Sequence, residues 1–223
     1  AIGRNALSTQ NFTTATTTNN TAVGDRAGLS VTTGIQNTLI GALAGDALNV
    51  GVENVALGFT SLSTDTKGNY STAIGTYALA AQNFTTATSA FNTGVGYSAG
   101  SAVTTGKQNT FVGGLAGDAI TDADTNVAIG YGSLTSDTLG SNSVAIGFAA
   151  LEAQNFTTAA NSFNTAVGSA AGAAITTGLQ NVLIGGLAGD ALTDADYNVS
   201  LGYRALSTDT LGSRSTAIGT EAL

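Results

Sequence analysis

A short phrase, apolar at alternate positions and closed by glycine, returns on a fixed beat along the whole chain: NTAVG from Asn20, NTLIG from Asn37, and variants of both to the end. The closing glycines are Gly3, Gly24, Gly41, Gly58, Gly75, Gly96, Gly113, Gly130, Gly147, Gly168, Gly185, Gly202 and Gly219. Their spacing runs 21, 17, 17, 17, and that set occurs three times. The chain is therefore three 72-residue units, 1–72, 73–144 and 145–216, followed by the start of a fourth at 217–223. Self-similarity at a fixed short period marks a repeat architecture, so residues 1–223 are read as one continuous array with no internal domain boundary.

Counting from each glycine as position 0, position −4 is Asn20, Asn37, Asn54, Asn92, Asn109, Asn126, Asn164, Asn181 and Asn198, with Ser71, Ser143 and Ser215 in every fourth repeat. Position −3 is Thr or Val, −1 is Val, Ile or Leu, +3 is Ala or Ser, and +4 runs Gly, Gly, Leu, Leu. Alternation with β-branched residues, and no sustained helical period, predicts a short strand ending in the glycine. A 17-residue period is too short for a helix pair and fits one turn of an all-β, parallel β-solenoid or β-roll, with every fourth coil lengthened to 21. Strand stacks on strand at ~4.8 Å, so like positions form columns.

The columns suggest roles. Glycine at 0 allows a sharp bend or a backbone approach that a Cβ would block. Asn at −4 can ladder its amides from rung to rung. The aliphatic column at −1 is the expected core. The opposite strand face carries Ala22, Ala73, Ala128, Ala145, Ala166 and Ala217 at −2, with Phe111 once, and is expected to pack against another chain. The extra residues of the long coil lie within QNFTTA, at Gln10, Gln82 and Gln154, and are expected to bulge outward. TTG at Thr32, Thr104 and Thr176, and STDT or TSDT at Ser63, Thr135 and Ser207, read as turns of the return path.

The phrase [NS]-[TV]-x-[IVL]-G-x-x-[AS] resembles the head repeats of trimeric autotransporter adhesins, the YadA-like heads, over the entire chain. It is also similar to repeats in the tail fibres of tailed bacteriophages. The resemblance implies a left-handed parallel β-roll, with three rolls side by side in an extracellular fibre. An exposed apolar strand face argues for association independently, because a long bare stripe needs a cover. A single-chain solenoid is the alternative.

Composition narrows the function classes. There is no Cys, His, Met, Trp or Pro, which removes thiolate metal sites, disulfides and the usual nucleophile–base pairs. Net charge is −8, with only six Lys plus Arg placed singly, so no nucleic-acid surface is expected. No apolar run is long enough for a membrane span. Charged residues make up 9%, yet 43% of the chain is apolar, so it should fold rather than remain disordered.

Candidate sites are few. DADTN (Asp122, Asp124, Asn126) and DADYN (Asp194, Asp196, Asn198) resemble the first half of a calcium loop but lack its glycine and distal carboxylate; a solvated turn is the simpler reading. Sequons occur at Asn11, Asn83 and Asn155, and also at Asn19, Asn69 and Asn198. Aromatics gather just after the glycine (Phe59, Tyr97, Tyr131, Phe148, Tyr203) or just before the Asn column (Tyr70, Phe91, Phe163, Tyr197), suited to packing between chains or to stacking on sugar rings. Paired carboxylates that hydrolyse glycans normally interrupt a repeat, whereas these acids follow it. The expectation is a non-enzymatic segment of a homotrimeric fibre, without a cofactor, presenting a surface to a cell-surface glycan or protein receptor. The alternative is an ice-binding solenoid with threonine ladders, although Val55, Val127, Val144, Val182 and Val199 interrupt the −3 column.

Overall fold

The computed structural model describes residues 1–223. Twelve three-residue strands stack in chain order into one parallel sheet: Thr21–Val23, Thr38–Ile40, Val55–Leu57, Thr72–Ile74, Thr93–Val95, Thr110–Val112, Val127–Ile129, Val144–Ile146, Thr165–Val167, Val182–Ile184, Val199–Leu201 and Thr216–Ile218. Thr21 pairs with Thr38 across a 17-residue coil and Thr72 with Thr93 across a 21-residue one, so the register follows the glycine beat through both lengths. The chain is a parallel β-solenoid with no helix.

Opposite this sheet, the return path is a stack of tight turns instead of a second continuous sheet. Three residues per coil, at +2, +4 and −5, take left-handed φ of about +60°, most of them not glycine; Leu43 (φ 60°), Leu62 (φ 50°) and Gln36 (φ 60°) are examples. Such residues are costly one at a time. Here most of the left-handed kinks turn an N–H toward a neighbouring rung: Leu43 N–H donates to Asp25 C=O at 2.9 Å, Leu62 to Ala78 at 3.0 Å and Gln36 to Thr18 at 2.7 Å.

The core is built on the other strand face from the one expected. Position −2 points inward: Ala22, Ala56, Ala73, Ala128, Ala145, Ala166 and Ala217 are buried, and so are Leu39, Phe111 and Leu183. Position −1 points outward, with Val23, Leu57, Ile184 and Leu201 exposed. The alternation is as read, but inside and outside are exchanged. The reason is the Asn column. Its side chains are fully buried from Asn37 onward, and −2 shares their parity.

Volume is balanced between −2 and +4. Where +4 is glycine in two successive coils, one large −2 residue fills the space: a Cβ on Gly28 or Gly45 would collide with Leu39, and one on Gly100 or Gly117 with Phe111. Where +4 is Leu62, Leu79, Leu134 or Leu151, each fully buried, −2 is Ala. The Gly, Gly, Leu, Leu rhythm is the complement of Ala, Leu or Phe, Ala, Ala at −2, with Gly94 and Ser200 the two departures, and close packing of the interior requires such an exchange of volume.

The long coil does not simply bulge. Gln82 and Phe84 turn into the interior, as do Gln154 and Phe156, while Thr85–Ala87 and Thr157–Ala159 stand out to solvent. Gln82 lies at +7, a column otherwise filled by Val31, Leu48, Val103, Ile120, Ile175 and Leu192, directly after the buried Asp65 of the coil before. Its Nε2 donates to Asp65 Oδ2 at 2.6 Å and to Ser71 Oγ at 2.8 Å, and its Oε1 accepts from Asn92 Nδ2 at 2.9 Å. Asp65 Oδ1 accepts the N–H of Gly68 at 2.9 Å and of Phe84 at 3.1 Å. Asp137, Gln154, Ser143 and Asn164 repeat the arrangement. The STDT aspartate is thus an interior group, and Ser replaces Asn at −4 where glutamine takes over the ladder.

Two substitutions test this core. Gly130 has φ +129°, and a Cβ there would lie well inside contact of the Gly147 carbonyl oxygen on the next rung. Gly130→Val should cost about 2–4 kcal/mol by urea unfolding, while Lys107→Val, on an exposed turn, should stay within about 0.5 kcal/mol. Equal effects would mean that the glycine column is not a stacking constraint. Gln82→Ala leaves Asp65 Oδ2, Ser71 Oγ and Asn92 Nδ2 without that partner and should cost about 2–3 kcal/mol. A loss no larger than that of an exposed threonine such as Thr86 would refute the relay.

Candidate interaction surface

Because −4 and −2 face in, positions −5, −3, −1 and +1 face out together. The outward face of the sheet therefore has a centre and two margins. Its centre is Thr or Val at −3 and Val, Ile or Leu at −1 in all twelve strands, with no charged residue. One margin, at −5, carries Tyr70, Phe91, Phe163 and Tyr197; the other, at +1 and +2, carries Phe59, Tyr77, Tyr97, Tyr131, Phe148 and Tyr203. All ten rings are exposed, up to 59% at Phe148.

Within each margin the rings pack on one another along the stack. Phe59, Tyr77 and Tyr97 form an edge-to-face series with centroids 5.8 and 6.2 Å apart. Tyr131 stacks with Phe148 at 6.0 Å, and Tyr70 with Phe91 at 5.1 Å. Arg214 lies over the Tyr197 ring at 5.1 Å. The first two rungs of the +1 column hold an exposed ion pair instead, with Arg4 Nε donating to Asp25 Oδ1 at 2.8 Å. That bond, with the Arg4 charge, holds the Asp25 carboxyl below the usual carboxylate range. Tyr77 was not singled out by sequence because it sits at +2, one place past the aromatic column.

The two DAD segments do not converge on a cation site. Asn126 and Asn198 are buried and spend their amides inside, Asn126 donating to Gly140 C=O at 2.9 Å and Asn198 to Gly212 C=O at 2.8 Å. Asp124 Oδ1 accepts the Lys107 N–H at 2.7 Å and Asp196 Oδ1 the Leu179 N–H at 2.7 Å, while Asp122 and Asp194 accept from Thr105 and Thr177. Each aspartate ties its turn to the preceding one, which is the work of a structural turn.

The sequons separate by exposure. Asn11 is exposed, Asn83 and Asn155 are half-buried beside the protruding threonines, and Asn198 is closed off in the interior. No helix is long and apolar enough to cross a membrane. Comparison with family models, curated proteins and solved structures finds no match to this chain.

A third set of acids, Asp46, Asp118 and Asp190, occupies +5 of one coil in every four, 72 residues apart. Asp118 accepts from Thr135, whereas one carboxylate oxygen of Asp46 and one of Asp190 is buried with no partner. Burial pushes the Asp46 carboxyl up, against a lowering by its own backbone hydrogen bond and the nearby Arg26 charge. A carboxyl raised in the fold keeps its proton after the unfolded chain has lost it, so it lowers stability as pH rises from the unfolded value to the folded one, and the loss then persists. Asp46→Asn should raise the urea midpoint at about pH 7 and leave it unchanged at about pH 3. A variant equally shifted at both would assign the effect to packing.

Proposed function

We propose that this chain is a structural segment of an extracellular homotrimeric fibre, the head or shaft of an adhesin or a phage tail fibre, that holds an attachment surface away from a cell or virion. The observation that carries it is the outward sheet face. Twelve rungs at ~4.8 Å and six residue steps at ~3.3 Å give a strip of about 58 by 20 Å, roughly 1,100 Å². A stable pairwise interface takes about 800 Å² from each partner; a trimer shares each strip between two neighbours, and its three strips together bury roughly 3,300 Å², enough to hold the copies together. Its centre is uncharged, which keeps the −8 charge of each copy from opposing association there. The corrected strand parity moves the association face from the alanines at −2 to the aliphatics at −1.

The number three rests on the repeat's resemblance to adhesin heads and phage fibres. Cyclic symmetry also closes a head-to-tail contact without an open edge. The receptor, a cell-surface glycan or protein, would meet residues off this face, with the protruding threonines of each long coil the most accessible. Ice binding is the second reading. It draws on the outward threonines at −3, but the outward rank at −1 is aliphatic, and thermal hysteresis at the same protein concentration separates the two.

Native mass spectrometry should give three times the 21.8 kDa chain mass. Because each rung adds the same contact, the three-unit chain should resist dissociation far better than one 72-residue unit. A monodisperse monomer at micromolar concentration would refute the fibre and leave a single-chain solenoid.

A further inference from the structure

The two margins of the outward face are different from each other, and the difference says how copies meet. Every ring-to-ring contact joins rings of the same margin. All ten keep an exposed surface that nothing in their own chain covers. The residues between the rings also differ. In the second rung of every unit −5 is a glutamine, Gln36, Gln108 or Gln180, while +1 on that rung is Ala42, Gly114 or Gly186. The +1 margin has at most a methyl of its own at this rung, and where that residue is glycine the ring of the next rung lies beside it: a Cβ on Gly114 would come within 3.3 Å of the Tyr131 ring and one on Gly186 within 3.5 Å of the Tyr203 ring. The −5 margin bears a long side chain at the same height.

We infer that the −5 margin of one copy seats against the +1/+2 margin of the next, which requires the copies to run parallel. Like-with-like pairing reverses the rung order of one copy against the other, so no −5 glutamine meets the +1 position of its own rung. Unlike pairing lays the projecting margin on the shallow one. Rotation about the fibre axis brings unlike margins together at every seam. An antiparallel face-to-face pair brings together like margins. The aliphatic centre is the same on every rung and favours neither arrangement, so the margins decide. This inference rests on the proposed self-association and adds the identity of the contacting edges.

The absence of cysteine makes the test direct. Gln36→Cys and Ala42→Cys lie at −5 and +1 of a single rung, at positions that are not in the core. Six residues of near-extended chain separate them by far more than the ~7 Å Cα limit of a disulfide, so they cannot bridge within one copy. After mild oxidation each single variant should remain uncrosslinked, while the double variant should form a covalent species of three chains, with native mass under reducing conditions unchanged from the parent.

A covalent species of two chains only would uphold the pairing and overturn the count of three. Self-crosslinking of either single variant would overturn the pairing while leaving self-association standing. An intact oligomer in which no variant crosslinks would place the contact on another face and overturn the inference. A monomer would overturn both readings.

Discussion

A carboxamide sealed away from water must find partners for its donors and its oxygen inside the fold, and an unmet one costs as much as a substantial core mutation. The asparagine at −4 meets this demand identically from coil to coil. Its Oδ1 accepts the backbone N–H one rung on, as Asn54 N–H donates to Asn37 at 3.0 Å, and its Nδ2 reaches across the coil, as Asn37 donates to Gly51 C=O at 2.9 Å. One side chain ties rung to rung and near wall to far wall. Because it must face inward, −2 follows it inside and −3 and −1 are turned out. The core, the bare face and the aromatic margins all descend from that single orientation.

The glycine beat, the strands, the parallel stacking and the amide ladder were legible in sequence because each depends on one residue type recurring at one spacing. Which strand face was inner was not legible from alternation alone, since both faces are apolar. Two features did hold the answer. The Gly, Gly, Leu, Leu order at +4 is the volume complement of Ala, Leu or Phe, Ala, Ala at −2, and residues that exchange volume must touch. Asn at −4 also shares parity with −2. Bulk and branching at −1 suggested a core, but a coil this narrow admits a large strand residue inside only where the turn opposite carries glycine, as at Leu39, Phe111 and Leu183, so a column that is aliphatic on every rung faces out.

Asp65 and Asp137 were hidden for a different reason. An aspartate shortly before a glycine has the local signature of an exposed turn, and nothing in the four-residue window separates that from a buried carboxylate. The separating signal lies 17 residues away, where glutamine follows aspartate in a column otherwise aliphatic. Gly68 and Gly140 belong to the same group, since a Cβ at either would strike the carboxylate. Asp209, in the last turn of the chain with no glutamine above it, is only half-buried.

The aspartate–glutamine relay also sets how such a protein can change length. It joins the fourth coil of one unit to the long first coil of the next, so removing either of those two coils alone leaves a buried carboxylate or a buried glutamine facing an aliphatic side chain. Removing four leaves every interior polar group with its partner. Recombination between near-identical copies of the repeat in its gene therefore keeps every relay intact when it adds or removes blocks of 72 codons, each shifting the reach of the rod by about 19 Å. A block exchanged whole carries its internal hydrogen bonding with it, and the surface is free to vary between blocks.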